Sequence, residues 1–194
     1  MEAAPVAYLN ERYGGDLAVV WLDAHGDLNT PASSPSGNFH GMVLRTLLGD
    51  GPSQYTAVLG RPLTPSQIFL AATRDLDPPE QAFVEATAIS VTTPAELPSS
   101  DVLARRIAAA GFTHVYVHLD LDALDPGEFA DMLIPTPGGP RLDHVMSAVS
   151  HLADHDIVGF SIVEYVPRTT ESLDVLRNFV MRLNFEDKSH QRQA

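Results

Sequence analysis

Cysteine is absent from all 194 residues, which excludes disulfides, thiolate metal sites and thiol nucleophiles together. Basic residues are scarce: 12 Lys and Arg stand against 25 Asp and Glu, and the formal net charge of −13 carries no basic cluster, so no nucleic-acid partner is expected. No apolar run approaches the roughly 20 residues needed to cross a bilayer. The opening residues, MEAAPVAYLNERYGG, lack both the basic start and the apolar stretch of a secretion signal, so a cytoplasmic location is expected. Repeats and low-complexity segments are also missing. What remains is an ordinary globular composition, 44% hydrophobic and 19% charged. Residues 1–185 are read as a single α/β domain and residues 186–194, EDKSHQRQA, as a frayed tail.

Short apolar runs rich in β-branched or aromatic residues alternate with helical patterns. LAVVWL (17–22), IFLAAT (68–73), ISVTT (89–93), HVYVHLDL (114–121) and IVGFSIV (157–163) read as strands. FHGMVLRTLL (39–48), PPEQAFVEATA (78–88), PSSDVLARRIAAAG (98–111), RLDHVMSAVSHLAD (141–154) and ESLDVLRNFVMRL (171–183) read as helices, with prolines opening the second and Gly111 stopping the third. Another helix, over about residues 3–12, precedes the first strand. Strands apolar throughout and separated by helices predict an open, mainly parallel sheet with helices on both faces.

Acidic residues gather where such sheets bind ligands, beyond the carboxyl ends of strands. WLDAHGD places Asp23, His25 and Asp27 immediately after one strand, and VYVHLDLDALDP places Asp120 and Asp122 at the end of another. Alternation along a strand puts Asp120 and Asp122 on one face. Either motif alone is an ordinary cap or turn. Together, on neighbouring strands, they would crowd four carboxylates and an imidazole into a small volume, where their repulsion is relieved by a divalent cation or a pair of them. Oxygen-rich ligands with one imidazole suit Mn²⁺ or another hard first-row ion better than zinc. His118, two residues before Asp120, is open to two readings, a group that orients a ligand from behind or a packed strand histidine. His114, His144, His151, His155 and His190 have no ligand-like context, and TPGGP (136–140) lacks the pattern of a phosphate cradle and reads as a turn.

DAHGDLNTPASSPSGNFHG, HLDLDALDP and SIVEY resemble the three metal and substrate signatures of the ureohydrolase family, the arginases and agmatinases, and RDLDPPE (74–80) is similar to a fourth segment found chiefly in arginases. The resemblance implies a binuclear manganese centre in which Asp23 and Asp120 bridge two ions, Asp27 binds the first, and His25 and Asp122 bind the second. It implies hydrolysis of a guanidino compound to urea and an amine by a hydroxide held between the ions, with Glu164 as counter-charge to the guanidinium and His40 in proton transfer or substrate contact. Asn29, Ser36 and Asn38 match positions that hold an α-carboxylate in arginases, and Asp77 matches the acid near the α-ammonium. These positions favour arginine or a related guanidino acid, although NTPASSPSGN is also ordinary loop composition. An agmatinase or other amidino hydrolase is the alternative, and a catalytically silent metal-binding member acting through assembly is the rival of a different class.

Two departures accompany the resemblance. Gly26 stands where the family often has a hydroxyl or alanine, and Tyr165 replaces the usual residue after the acid. Nothing matches the family's earlier Gly-Gly-Asp-His signature, whose histidine completes the first metal site. The first site is therefore expected to be the weaker. An exposed sheet edge, and with it a homo-oligomer, is expected as well.

Overall fold

The computed structural model describes residues 2–99 and 101–183; the expected tail and His190 lie outside them. In chain order the elements are α1 (Ala3–Arg12), β1 (Leu17–Leu22), α2 (Val43–Leu47), α3 (Ser53–Thr56), β2 (Ile68–Ala71), α4 (Pro78–Ala86), β3 (Ser90–Thr92), α5 (Val102–Ala110), β4 (His114–Asp120), α6 (Leu142–Ser150), β5 (Asp156–Val163) and α7 (Thr170–Leu183). All five expected strands are present, and they form one parallel sheet in the order β3-β2-β1-β4-β5.

Alternation along the strands divides the core in two. Ala18, Val20 and Leu22 of β1, with Val115, Val117 and Leu119 of β4, pack towards α5, α6 and α7 through Leu103, Ile107, Val145, Val149 and Phe179. Leu17, Val19 and Trp21, with Ile68 and Leu70 of β2, pack on the opposite face against Val6 of α1 and Leu44 and Leu47 of α2. Both faces are covered, which is why β1 is buried at all six positions and reads as an unbroken apolar run.

Local chemistry sets the element ends. Asp77 and Glu80 form a capping box around the prolines that open α4. Gly111 closes α5 in the left-handed conformation at φ 82°, where a side chain is disfavoured. Three elements differ from the sequence reading. Residues 39–48 divide into a 3-10 turn at Phe39–Met42 followed by the short α2, and residues 141–154 divide into α6 and a 3-10 turn at His151–Asp154. β4 ends at Asp120, and Asp122 sits in a 3-10 turn, Leu121–Ala123, rather than on the strand. The cause is local: the Asp120 carboxylate accepts the Asp122 backbone N–H at 2.9 Å and so caps the turn.

Gly159 inside β5 marks a close approach. A Cβ built there meets the Tyr116 ring at 2.5 Å, and the Tyr116 hydroxyl is tied to Glu2 Oε2 at 2.7 Å, so the ring is not free to swing aside. Gly159→Ala should therefore lower unfolding free energy by about 1–3 kcal/mol, read by urea denaturation.

Candidate metal centre

Leaving β1, the chain builds β2 and β3 on one side of it and β4 and β5 on the other. The carboxyl ends of β1 and β4 thus flank the point where strand order reverses, the place where open parallel sheets form a crevice. Leu22 lies opposite Leu119, so Asp23 and Asp120 emerge side by side. Backbone hydrogen bonds hold them there. Asp23 N–H donates to the Ala71 carbonyl at 3.1 Å, and Ala24 N–H donates to Asp122 Oδ1 at 3.1 Å. Arg74, just beyond β2, clamps the loop after β4 by donating to the carbonyls of Asp122 (2.8 Å), Ala123 (3.1 Å) and Pro137 (3.0 Å).

Two groups of potential metal ligands result among the described residues. His25 Nδ1 lies 3.0 Å from Asp122 Oδ2 and 3.3 Å from Asp23 Oδ1, which defines the first group. Asp23, His118 and Asp120 form the second, and within each group the ligand atoms lie within 4.8 Å of one another. The electrostatics show the strain of this crowding. Burial, then the charges of Asp23 and Asp122, push the Asp120 carboxyl up to about 9. Burial, with Asp23 and Asp120 beside it, pushes Asp27 well above the carboxylate range, and burial likewise raises Asp122. Burial alone would raise Asp23, but the imidazoles of His118 and His25 beside it outweigh that cost and hold it low. Hydrogen bonds to Asp122 and Asp23 push His25 up to about 11. Carboxylates forced together in this way gain from a bound cation. The donors are carboxylate oxygens and imidazole nitrogens without sulfur, a set that fits a hard divalent ion.

The other expected site residues, Asn38 excepted, surround a cavity of about 430 Å³ above this cluster. Asp27 and Glu164 line it, and both hold positive φ, 51° and 62°, a conformation uncommon away from glycine and concentrated at functional positions. Glu164 Oε2 is buried and has no hydrogen-bond partner among the described residues. Asn29, Ser36, His40 and Asp77 line the cavity as well. Asn29 is buried and donates to Asp77 Oδ2 at 2.8 Å, while its own carbonyl oxygen accepts from Ser33 Oγ at 2.8 Å. Asn38 is exposed, stands outside the lining residues, and donates its N–H to Ser36 Oγ at 3.2 Å. His114 lies at the opposite end of β4, stacked on Tyr13 at 3.9 Å.

Several lining residues escaped the sequence reading: Glu2, Trp21, Asp75 and Glu80. Buried Glu80 accepts the N–H of Leu28 at 2.8 Å and of Asp77 at 2.9 Å, and so ties the loop after β1 to the start of α4. Its signal was available, since Asp-Pro-Pro-Glu is a capping-box spacing. Glu2 reaches Tyr116 across 114 positions of chain, and no local pattern announces such a contact.

Comparison with known proteins agrees with this arrangement. The Arginase family model matches residues 3–180. The arginase of Staphylococcus aureus (strain COL) is 36% identical over 157 residues, covering 77% of this chain and 48% of that protein. Among solved structures, Bacillus cereus arginase superposes with a TM-score of 0.84 at 30% identity, over 93% of this chain and 66% of that one. Entamoeba histolytica arginase in complex with L-ornithine gives the same TM-score at 25% identity, over 94% and 65%. The chain spans about half the length of the curated relatives it matches. With the family model running through α1, all five strands and most of α7, the chain belongs to the arginase family.

Proposed function

We propose that the protein catalyses Mn²⁺-dependent hydrolysis of a guanidino compound, arginine or a related guanidino acid, to urea and an amine. The observation that carries this reading is the pairing of a cation-seeking carboxylate cluster with Glu164, whose Oε2 is buried without a partner among the described residues and which lines the same cavity. Asp23, His25, Asp27, Asp120 and Asp122 would hold the metal, which when bound supplies a hydroxide near neutral pH. Glu164 gives the cationic guanidinium a counter-charge, a reading supported by its strained backbone, φ 62°, at the cavity wall. Asn29 and Asp77 form one hydrogen-bonded unit at another part of the cavity, suited to an ammonium and carboxylate. Exposed His40 also lines the cavity, at the position the family resemblance gives to proton transfer or substrate contact. The Entamoeba relative was solved with L-ornithine, an α-amino acid bearing the amine that arginine hydrolysis would release, which supports an amino-acid substrate.

We also propose a homo-oligomer. β5 is half-exposed along all eight residues at the sheet edge, and exposed Leu133 and Ile134 lie near it in the loop after β4. Light scattering should then report more than one chain per particle.

Urea release with Mn²⁺ should be fastest from arginine and slower from agmatine and guanidinobutyrate; turnover of agmatine alone would favour the agmatinase reading, and silence with all three the assembly reading. Glu164→Gln should lower kcat/KM by roughly 10- to 150-fold, the worth of about 1.5–3 kcal/mol for a charged hydrogen bond. The metal-free chain carries a signed pH dependence. Asp120 is held at about 9, above the roughly 3.9 of an unfolded aspartate, so its contribution to stability falls as pH rises through that window. His25, raised to about 11, adds a loss of the same sign above about pH 6.5. Saturating Mn²⁺ should offset the decline by about 2.7 kcal/mol per site at a hundredfold excess over Kd, and Asp120→Asn should flatten both effects in urea melts at about pH 5 and pH 8.

A further inference from the structure

We propose that His118 is itself a metal ligand, forming with Asp23 and Asp120 a cation site distinct from the one that His25, Asp23 and Asp122 outline. The proposal rests on the metal-dependent reading above and supplies an imidazole that the sequence signatures do not assign.

The two imidazoles approach opposite oxygens of one carboxylate. His25 Nδ1 faces Asp23 Oδ1 at 3.3 Å, and His118 Nε2 faces Asp23 Oδ2 at 3.7 Å. That is the arrangement a carboxylate needs to bridge two cations, each with its own nitrogen donor. His118 also precedes Asp120 by two positions on β4, so strand alternation carries both side chains to the same face.

The alternative, a histidine buried only for packing, leaves an atom unexplained. His118 is 2% exposed, and its Nε2 has no hydrogen-bond partner among the described residues. Buried polar atoms are ordinarily satisfied, and stacking on Trp21 at 3.6 Å and 11° occupies the ring face without satisfying the nitrogen. The opposite edge of the ring is directed. Nδ1 lies 3.5 Å from Ser161 Oγ and 3.9 Å from Glu2 Oε2, and Glu2 is fixed by the Tyr116 hydroxyl at 2.7 Å. A carboxylate behind one nitrogen orients the other for a metal, and that pattern recurs behind ligating histidines. Trp21, Glu2 and Ser161 are thus positioning residues for Nε2.

The test uses the full chain, stripped of metal and titrated with Mn²⁺ alone, with bound ions counted by electron paramagnetic resonance and imidazole nitrogens detected by electron spin echo modulation. The unaltered protein should bind two ions and show nitrogen coupling from two histidines. His118→Ala and His118→Gln should each retain one ion, His25→Ala should retain the other, and the double variant should bind neither. Two ions persisting in both His118 variants, or coupling from a single histidine in the unaltered protein, would overturn the proposal; the second readout needs no variant to fold. An unaltered chain that binds no Mn²⁺ at all would instead sink the metal-dependent reading on which the proposal rests.

Discussion

The site depends on one electrostatic conflict: carboxylates from two strands are brought together where their mutual repulsion is least screened. Asp23 emerges from β1 and Asp120 from β4 at the reversal of strand order, and Asp122 and Asp27 close in from the turns that follow. In water such groups would separate. Here the sheet register, the Arg74 clamp and the backbone bonds to Ala71 and Asp122 hold them in place. The protein's stability is therefore set against the arrangement its proposed chemistry needs, and a bound cation is what reconciles the two.

Around this centre the structure spends conformational strain and buried polarity in a consistent way. Asp27 and Glu164 both adopt positive φ, and both line the cavity. Glu80 is a buried acid satisfied by two backbone N–H groups, so it braces the loops that carry Asp27 and Asp77 rather than competing for a cation. Arg74 uses its charge similarly, against carbonyl oxygens of the loop after β4. The charged groups beside the site that are fully hydrogen-bonded position it; among the described residues Glu164 Oε2, His118 Nε2 and Trp21 Nε1 around the cavity lack partners, and we propose the first two as the atoms left for ligands.

Much of this is legible in the sequence. The runs at 17–22 and 114–121 correspond to β1 and β4 because strands covered on both faces are predominantly apolar on both, and this leaves a local mark. The acids stand out because they break those runs abruptly. Less visible was the 3-10 turn that lifts Asp122 off the strand, since it depends on the Asp120 side chain capturing a backbone N–H that alternation alone assigns elsewhere. The role of His118 was undecidable at that level: periodicity gives its face but not what the facing strand presents to it.

The sequence by itself determined the class of fold, the alternation of strands and helices, and the chemical identity of the donors, because each is written in short-range periodicity and residue type. Only the tertiary structure decided that β4 lies beside β1, that His25 and His118 meet opposite oxygens of Asp23, and that Glu2 stands behind Tyr116 and His118. Strand order is chosen by how apolar faces pack over long separations in the chain, and no local pattern encodes which distant side chain will complete a site.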